Sequence, residues 1–457
     1  MIELDARSIA AAVNARTLDP VEVAETFIAR IAERNPSLNA LCAFDPAPAR
    51  SEAQQVRARI AAGERPGLAG VPVVVKDNIW VAGRRIAQGS RLFADHVAPQ
   101  DAIAVARLRR SGAVIIGIGN CPEFACKGVT NSPLHGVARH PLDLRLTPGG
   151  SSGGNAAALA ADFAPIALGT DGGGSGRRPP AHTGVVGFKP SFGAIPYGPG
   201  FPEPFWGIAV LAPMGRTVGD VATLFEAVAG PDPGDPESIA VDAACDLDVA
   251  RLRIAFSPKL GLDVPVDADV ADAVAHAVEH LVGAGWRIAR ADPAWPAGIS
   301  EASIMPLQLA GLAALHGQTW QQRPELFDPD IGAQIERGLA LTGAEVAGAL
   351  EASQRIKCSV AAFFGEHDIL LTPTAPCVAW SATELGPATI GSVAVAPRAH
   401  AVFTPLFNHA LTPALSLPCG LGRDRLPVGL QIIARRGRDR CVLDLAAAAE
   451  RVLSGRP

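Results

Sequence analysis

Three side chains of this sequence have the types and surroundings that nucleophilic catalysis requires. Ser151 lies within the stretch GGSSGG, Ser175 follows three glycines at 172–174, and Lys76 directly follows the apolar run VPVVV. A serine hydroxyl needs a base to become a useful nucleophile. A lysine can be that base if burial lowers its pKa enough to leave it neutral. Because VPVVV predicts a strand that is buried on both faces, we expect Lys76 to be buried at the end of that strand.

Two glycine-rich stretches adjoin these serines, and each has two interpretations. GGSSGG could be a flexible linker, but it continues into NAAALAA, which predicts a helix with its unpaired N–H groups at the glycines. No GK[ST] follows, which argues against a phosphate-binding P-loop. In the second stretch, Gly172, Gly173 and Gly174 could form a plain loop. Alternatively, their N–H groups could converge on one anionic oxygen, as an oxyanion hole requires.

The predicted elements that would position these residues alternate between strand and helix. Short β-branched apolar runs are typical of buried strands, and an Asp-Pro start signal precedes the first long helix. This alternation predicts an α/β fold whose central mixed sheet is covered by helices on both faces. Strands are predicted over residues 70–75, 113–118, 252–256, 286–289, 369–371, 414–417 and 428–433, and helices over 20–32, 101–110, 270–281, 344–364 and 442–453.

The composition excludes several classes of protein. Hydrophobic residues make up 48% of the 457 residues and charged residues 19%, which rules out a disordered chain. The net charge is −5 and no basic run stands out, so the electrostatic footprint of a nucleic-acid-binding protein is missing. The stretch 302–322 has few charges, but Pro306 and His316 make it too polar for a membrane span. We interpret it as a buried helix or a pocket lining, and we expect neither a nucleic-acid partner nor a membrane partner.

The cysteines and the chain ends bear on compartment and domain organisation. The eight cysteines are scattered without a zinc-site spacing, so we predict no metal site. Acids and an arginine occupy the first twenty residues where a signal peptide has a long apolar core, which predicts a cytoplasmic protein. The segment PDPGDP at 231–236 either joins two halves or is a surface loop within one domain. We expect one domain over 1–457, with a motif-bearing core at about 60–230 and a second half, 237–457, that completes the sheet and the pocket.

Considered together, these motifs resemble the amidase signature family of amide hydrolases. The family's hallmark is a GGSSGG stretch followed 24 residues later by the serine of a Gly-Gly-x-Ser segment, and Ser151 and Ser175 have that spacing here. Lys76 stands in the matching context VVVKDN. Further matching segments are NCPEFA at 120–125, GVVGFKPS at 184–191 and LPVGLQIIAR at 426–435. The resemblance covers almost the whole chain.

The resemblance implies roles for individual residues. Ser175 would be the nucleophile, Lys76 the base, and Ser151 a bridging serine that follows a cis peptide bond from Gly150. The backbone N–H groups of 172–175 would form the oxyanion hole. The side chains that would support the site by hydrogen bonds are Ser152, Asp171 and Arg177. The fixed charge of Arg177 would also disfavour protonation of the lysine.

The implied reaction is acyl transfer without a metal or an organic cofactor. Neutral Lys76 would draw a proton through Ser151 from Ser175, which attacks the carbonyl carbon of a small-molecule amide. Ser151 would then protonate the departing nitrogen, so that ammonia or an amine leaves. Water would hydrolyse the acyl-enzyme by the reverse relay.

Four further residues are candidates for substrate binding. Arg178 departs from the usual family pattern, although an arginine occurs at a similar place in the malonamidase-like branch. It is either a solvated or ion-paired residue, or it points into the pocket and binds a substrate carboxylate. Ala125 stands in the NCPEFA motif, and Tyr197 and Trp206 stand in the aromatic-rich segment 191–206, which could form a pocket wall or a packed cover.

Alternative functions remain open from the sequence. The first interpretation is an amide hydrolase of small molecules, which could act as a homodimer. The second is the amidase-type, glutaminase subunit of a tRNA-dependent amidotransferase, which would need partner subunits. A scaffold without activity is the third, and the presence of all three catalytic candidates argues against it.

Overall fold

The centre of the molecule is a large mixed β-sheet. A computed structural model of the chain describes residues 1–42, 44–242 and 248–455, so Cys245 lies outside the described residues. Within them, eleven strands form one sheet in the order β1-β3-β2-β6-β8-β7-β14-β15-β11-β9-β10. The strands are β1 (Leu41–Cys42), β2 (Pro72–Lys76), β3 (Val114–Gly119), β4 (Asn131–Ser132), β5 (Gly136–Val137), β6 (Ile166–Asp171), β7 (Val186–Lys189), β8 (Val210–Gly215), β9 (Ile254–Phe256), β10 (Ile288–Arg290), β11 (Ile369–Pro373), β12 (Thr389–Ile390), β13 (Val393–Ala394), β14 (Ala414–Leu421) and β15 (Pro427–Ala434).

Helices cover both faces of this sheet. Every residue of β2, β3, β6, β8 and β15 is buried, which requires a layer on each side because successive side chains point to opposite faces. The predicted α/β class with a mixed, doubly covered sheet is therefore confirmed. The helices are α1 (Ala6–Asn14), α2 (Pro20–Leu38), α3 (Pro46–Ala61), α4 (Ile103–Arg110), α5 (Gly153–Ala160), α6 (Arg178–Thr183), α7 (Val218–Val228), α8 (Ala268–Gly283), α9 (Glu301–Gln322), α10 (Pro329–Leu339), α11 (Gly343–Glu366), α12 (Pro405–His409) and α13 (Asp439–Ser454).

Local sequence signals account for several of these boundaries. Helix α2 begins as predicted, because the Asp19 side chain accepts a hydrogen bond from the Val21 N–H and Pro20 needs no donor at the first helical position. It ends only at Leu38, six residues beyond the prediction, before Asn39 in the left-handed conformation. The stretch 302–322 belongs to α9, as predicted. None of the described helices has the length and apolar character needed to cross a bilayer.

The two halves of the chain share the same sheet. Strand β7 of the first half pairs antiparallel with β14 of the second half, and Phe188 lies opposite Leu415. Arg107 binds the backbone carbonyls of 228–231, so the turn that carries PDPGDP is held against α4. The single-domain organisation stays a prediction, which this continuity of the sheet supports.

The strand order brings the candidate catalytic segments to one edge of the sheet. Strands β2 and β6 are parallel neighbours, with Val75 opposite Leu168. Their carboxyl ends therefore lie side by side, which is where open α/β sheets bind ligands. Lys76 ends β2, and Asp171 ends β6 just before the glycines at 172–174. Helix α5 starts two residues after Ser151, and α6 starts three residues after Ser175.

Candidate active site

Lys76 is completely buried and contacts two hydroxyl groups. Its Nζ donates hydrogen bonds to Ser151 Oγ and Thr170 Oγ1, each at 2.8 Å. No carboxylate lies within ion-pair distance of Nζ among the described residues. Burial lowers the pKa of Lys76 to about 8 from an ordinary value of 10.5. Burial, rather than the charge of Arg177 that the sequence suggested, is thus the main cause of the lowered pKa of Lys76. The lysine therefore loses its proton within a biological pH range.

Ser151 is held at the turn into α5. Its side chain is fully buried, and the peptide bond between Gly150 and Ser151 is cis, as the family resemblance implied. A Cβ on Gly150 would lie 2.7 Å from the Val129 nitrogen, so only glycine fits there. The Thr130 hydroxyl bonds the Gly149 carbonyl at 2.8 Å, which fixes the same turn from the other side.

Ser175 stands on the glycine loop after β6 and is not completely buried. It is 7% exposed, and its Oγ makes no hydrogen bond to the described residues. The structure therefore brings Lys76 and Ser151 into direct contact but shows no direct bond between Ser151 and Ser175. Thr170, which sequence reasoning missed, bonds Lys76 and precedes the loop by two residues. No motif signalled Thr170, because its role depends on the register between β2 and β6.

The glycine loop presents unpaired backbone donors. Among the described residues, the N–H groups of Gly172, Gly173 and Ser175 have no hydrogen-bond partner. The N–H of Gly174 differs from the sequence expectation, because it donates to Asp171 Oδ1 at 2.6 Å. Thr404 Oγ1 donates to the Gly173 carbonyl at 2.9 Å and fixes the loop from the second half of the chain. An oxyanion hole at this loop would thus use three donors rather than four.

Arg177 and Asp171 form a buried ion pair behind the glycine loop. Arg177 Nε donates to Asp171 Oδ2 at 2.9 Å, and both side chains are completely buried. Burial alone would raise the pKa of the Asp171 carboxyl, but the charge and hydrogen bonds of Arg177 outweigh it and hold that pKa well below its usual range. Arg177 also donates to Asn408 Oδ1 at 2.6 Å and to Gln431 Oε1 at 2.7 Å. Sequence reasoning missed both of these second-half residues.

Ser152 supports the site through the strand beside it. Its hydroxyl donates to the Thr170 carbonyl at 3.1 Å, so the turn at the start of α5 is tied to β6. The three predicted support residues therefore all make hydrogen bonds around the glycine loop or the strand before it.

Arg178 is buried without a carboxylate partner among the described residues. Only 5% of it is exposed, and its Nη1 lies 3.4 Å from His400 Nδ1. Its buried Nε has no hydrogen-bond partner among the described residues. A Cβ built on Gly174 would lie 2.9 Å from this Nε, so the Arg178 side chain packs against the glycine loop. Burial, followed by the charge of Arg398, lowers the pKa of Arg178 to about 10. The interpretation as a solvated or ion-paired arginine is therefore wrong.

Two cavities share part of their wall, and the narrower of them contacts the glycine loop. A narrow one of about 30 Å³ is lined by Gly172, Gly173, Phe205, Met305 and Arg398, among others. A second one of about 220 Å³ shares Met305 and Arg398 in its wall and also contains Lys127, Arg337 and His400. A larger surface cleft of about 750 Å³ lies between α8, α13 and β14 and contains none of the candidate catalytic residues.

None of the four predicted substrate-binding residues, Arg178 included, lines either of these two cavities. Ala125 is buried in a 3₁₀ turn beside Cys126. Tyr197 lines a separate cavity of about 380 Å³. Trp206 is 54% exposed, whereas its neighbour Phe205 covers Gly172. Phe205 belongs to the same aromatic-rich segment, 191–206, and lines the narrow cavity.

Comparison with known proteins identifies the family of this chain. The amidase family model matches residues 22–443. The chain is 36% identical to an acylamidase of Rhodococcus erythropolis, over 98% of this chain and 95% of that protein. It is 34% identical to the A subunit of the glutamyl-tRNA(Gln) amidotransferase of Symbiobacterium thermophilum, over 95% of this chain and 94% of that protein.

Solved structures show the same fold over the whole chain. A bacterial aryl acylamidase of the amidase signature family superposes with a TM-score of 0.88 at 26% identity, covering 99% of both chains. A 6-aminohexanoate cyclic dimer hydrolase gives a TM-score of 0.86 at 26% identity, covering 100% of this chain and 99% of the other. The chain belongs to the amidase signature family and is a hydrolase that acts on C–N amide bonds.

Proposed function

We propose that this amide hydrolase uses Ser175 as nucleophile, Ser151 as proton bridge and Lys76 as base. The observation that carries the proposal is the direct contact between a fully buried lysine and Ser151, at 2.8 Å, at the strand edge beside Ser175. Because burial lowers its pKa to about 8, Lys76 is neutral often enough to accept a proton.

The geometry supports acyl transfer in two halves. Lys76 Nζ takes the proton of Ser151 Oγ as Ser151 takes the proton of Ser175 Oγ, and the Ser175 oxygen bonds to the amide carbonyl carbon. Ser151 then returns a proton to the nitrogen as the C–N bond breaks, so an amine or ammonia leaves. Water attacks the acyl-enzyme with the same relay, and the released carboxylic acid regenerates Ser175.

The unpaired donors of the glycine loop would stabilise the tetrahedral intermediate. Since no described residue accepts from the N–H groups of Gly172, Gly173 and Ser175, these groups can bind its oxyanion. Asp171 and Thr404 hold the loop from opposite sides, so the donors are positioned before the substrate arrives.

The substrate class follows from Arg178. A buried guanidinium without a counter-ion is costly, and an incoming carboxylate would supply both the missing charge and an acceptor for the Nε that no described residue satisfies. Arg398 lines both cavities and lies near enough to lower the pKa of Arg178, although Glu301 neutralises part of the Arg398 charge through an ion pair. We therefore assign a small-molecule amide that carries a carboxylate as the preferred substrate.

Partners and location belong to the same proposal. The cysteines described by the structure are all free thiols, which supports a reducing, cytoplasmic compartment. We also propose that the protein acts on a small molecule without a nucleic-acid partner and that it forms a homodimer. The likeness to amidotransferase A subunits keeps glutaminase chemistry as the second candidate.

One experiment tests the nucleophile and another the substrate. A fluorophosphonate probe is expected to label Ser175, as read by peptide mass spectrometry, and Ser175→Ala is expected to abolish labelling. Ammonia or amine release from neutral amides, carboxylate-bearing amides and glutamine, by the purified chain alone, then ranks the substrates. Labelling that persists in Ser175→Ala would contradict the mechanism, and a preference for glutamine would favour the second candidate.

A further inference from the structure

Cys42, Asp77 and His135 bring three different metal-binding groups together outside the proposed catalytic machinery. One donor atom from each residue lies within 4.8 Å of the other two. Cys42 ends β1, Asp77 follows β2, and His135 lies in the turn between β4 and β5. Since the three segments are far apart in sequence, no local motif indicates the cluster. For the same reason, the spacing of the cysteines and histidines does not predict a zinc site.

We propose that the Cys42–Asp77–His135 cluster binds Zn²⁺. Thiolate sulfur, imidazole nitrogen and carboxylate oxygen are the ligands that zinc takes in proteins, and its usual coordination is tetrahedral. The three side chains would supply three positions, and a water molecule would fill the fourth. This contrasts with the sequence expectation of no metal site, which considered only spacing along the chain.

Asp77 is already oriented as a ligand. Its Oδ1 accepts a hydrogen bond from the Ala87 N–H at 2.8 Å, and its Oδ2 accepts one from the Gly89 N–H at 2.9 Å. Its Oδ2 also lies 2.9 Å from His135 Nε2. The metal would take the place of the hydrogen between these two atoms, while the backbone donors keep the carboxylate in position as outer-shell partners do.

The charges balance when the metal enters. Without a metal, the Cys42 thiol directs its proton at the Ile118 carbonyl oxygen, 3.5 Å from Sγ. Metal binding breaks this S–H bond and releases one proton to solvent. Coordination through Nε2 displaces the hydrogen between Nε2 and Asp77 Oδ2, and that proton moves to Nδ1 of the same ring. One thiolate and one carboxylate then balance the two positive charges of Zn²⁺, so the occupied site is neutral.

His135 provides the route of entry. Its side chain is 12% exposed, whereas Asp77 is 1% exposed and Cys42 is 6% exposed. The Cys42 sulfur has one weak contact, with the Ile118 carbonyl at 3.5 Å, so little is lost when it turns to the metal. The ligand that a metal meets first is therefore the imidazole, and the thiol completes the site.

Metal titration of the full-length chain tests the proposal. The wild-type chain is expected to bind one Zn²⁺ in competition with a chromophoric chelator, with a micromolar or lower Kd. Co²⁺ in its place is expected to give a thiolate-to-cobalt charge-transfer absorption. Cys42→Ser should remove that absorption, and His135→Gln should weaken Zn²⁺ binding at least tenfold. Cys358→Ser, which removes an exposed thiol elsewhere, is the matched control and should change neither.

Two outcomes would overturn the site. One is a wild-type chain that binds no Zn²⁺ at micromolar concentration, and the other is stoichiometric binding that survives both Cys42→Ser and His135→Gln. Circular dichroism and Tm establish that each variant is folded. If Cys42→Ser is unstable, His135→Gln still tests the site, because His135 is partly exposed and its substitution disturbs the core less. Fluorophosphonate labelling of Ser175 is read separately, so failure of the zinc site and failure of the catalytic proposal are distinguishable.

Discussion

At the scale of single residues, the environment of Lys76 decides its chemistry. A lysine at the surface would stay protonated and could not accept a proton from a serine. Here the strand β2 carries Lys76 into a fully buried position, where two hydroxyls rather than a carboxylate surround Nζ. The sequence predicted this position because VPVVV precedes the lysine, whereas the second hydroxyl, from Thr170, depends on strand pairing that no local pattern encodes.

The pH dependence of turnover should report the titration of Lys76. Since the neutral amine is the active form and its pKa is about 8, kcat/KM for a neutral amide should rise about tenfold per pH unit below pH 8 and level off above it. A pH-rate profile of the wild type measures this. Lys76→Met should lower kcat by at least about 10³-fold at every pH, because nucleophile and base act as a unit. A profile that is flat between pH 6 and 9 would contradict the role of Lys76.

Arg178 should control discrimination between charged and neutral substrates. Arg178→Gln removes the buried charge, so kcat/KM for a carboxylate-bearing amide should fall about 10²-fold while a neutral amide of equal size changes less than about threefold. Steady-state kinetics on the matched pair of amides measures the ratio. Arg337→Gln, an exposed arginine in the wall of the second cavity, is the control. An unchanged ratio in Arg178→Gln would remove the carboxylate from the proposal.

At the scale of elements, a short loop between β6 and α6 positions most of the chemistry. The loop contains Ser175 and the unpaired donors, and its shape depends on Gly174, whose φ is +115°. The glycine motif located this loop in the sequence, although β6 and α6, which flank it, were not among the predicted elements. The motif did not reveal that the Gly174 N–H is donated to Asp171, because a backbone donor has no sequence signature.

Gly174→Ala should damage the loop more than a typical glycine substitution. A Cβ there would collide with the Thr404 hydroxyl, and an L-residue disfavours this φ. We expect kcat to fall at least about 10²-fold, with a loss of about 1–3 kcal/mol in the free energy of unfolding. Activity assays and urea denaturation measure the two effects. Gly365→Ala, which adds a carbon in open space on α11, should leave kcat unchanged and should not lower the free energy of unfolding. Wild-type turnover in Gly174→Ala would show that the loop shape does not matter.

At the scale of the whole molecule, the site depends on both halves of the chain. Arg177 in the first half bonds Asn408 and Gln431 in the second, and Thr404 fixes the Gly173 carbonyl. The sheet class and most buried strands could be predicted from apolar periodicity. The contacts between the two halves could not be predicted, because they join residues more than 220 positions apart whose types are common in any loop.

Breaking the central ion pair should destabilise the fold. Arg177→Gln leaves Asp171 buried with its main cationic partner removed, so the free energy of unfolding should fall by about 3–5 kcal/mol at pH 7. Because Arg177 holds the pKa of Asp171 well below its ordinary 3.8, this stabilisation is present above pH 4 and is lost as pH falls through the lowered pKa. Denaturant melts at several pH values measure the effect. Arg145→Gln removes an arginine that is 88% exposed from its ion pair with Asp143, and it should leave the free energy of unfolding almost unchanged. Equal losses in both variants would contradict this.

The contacts of Arg177 also set the moment at which a newly made chain can react. A ribosome completes Lys76, Ser151 and Ser175 long before it adds Asn408 and Gln431. A truncated polypeptide that ends before Gln431 would contain Lys76, Ser151 and Ser175 but would lack the Gln431 contact of Arg177 that supports the glycine loop. Such fragments should therefore be inert toward amides, so that hydrolysis in the cell begins only with finished molecules.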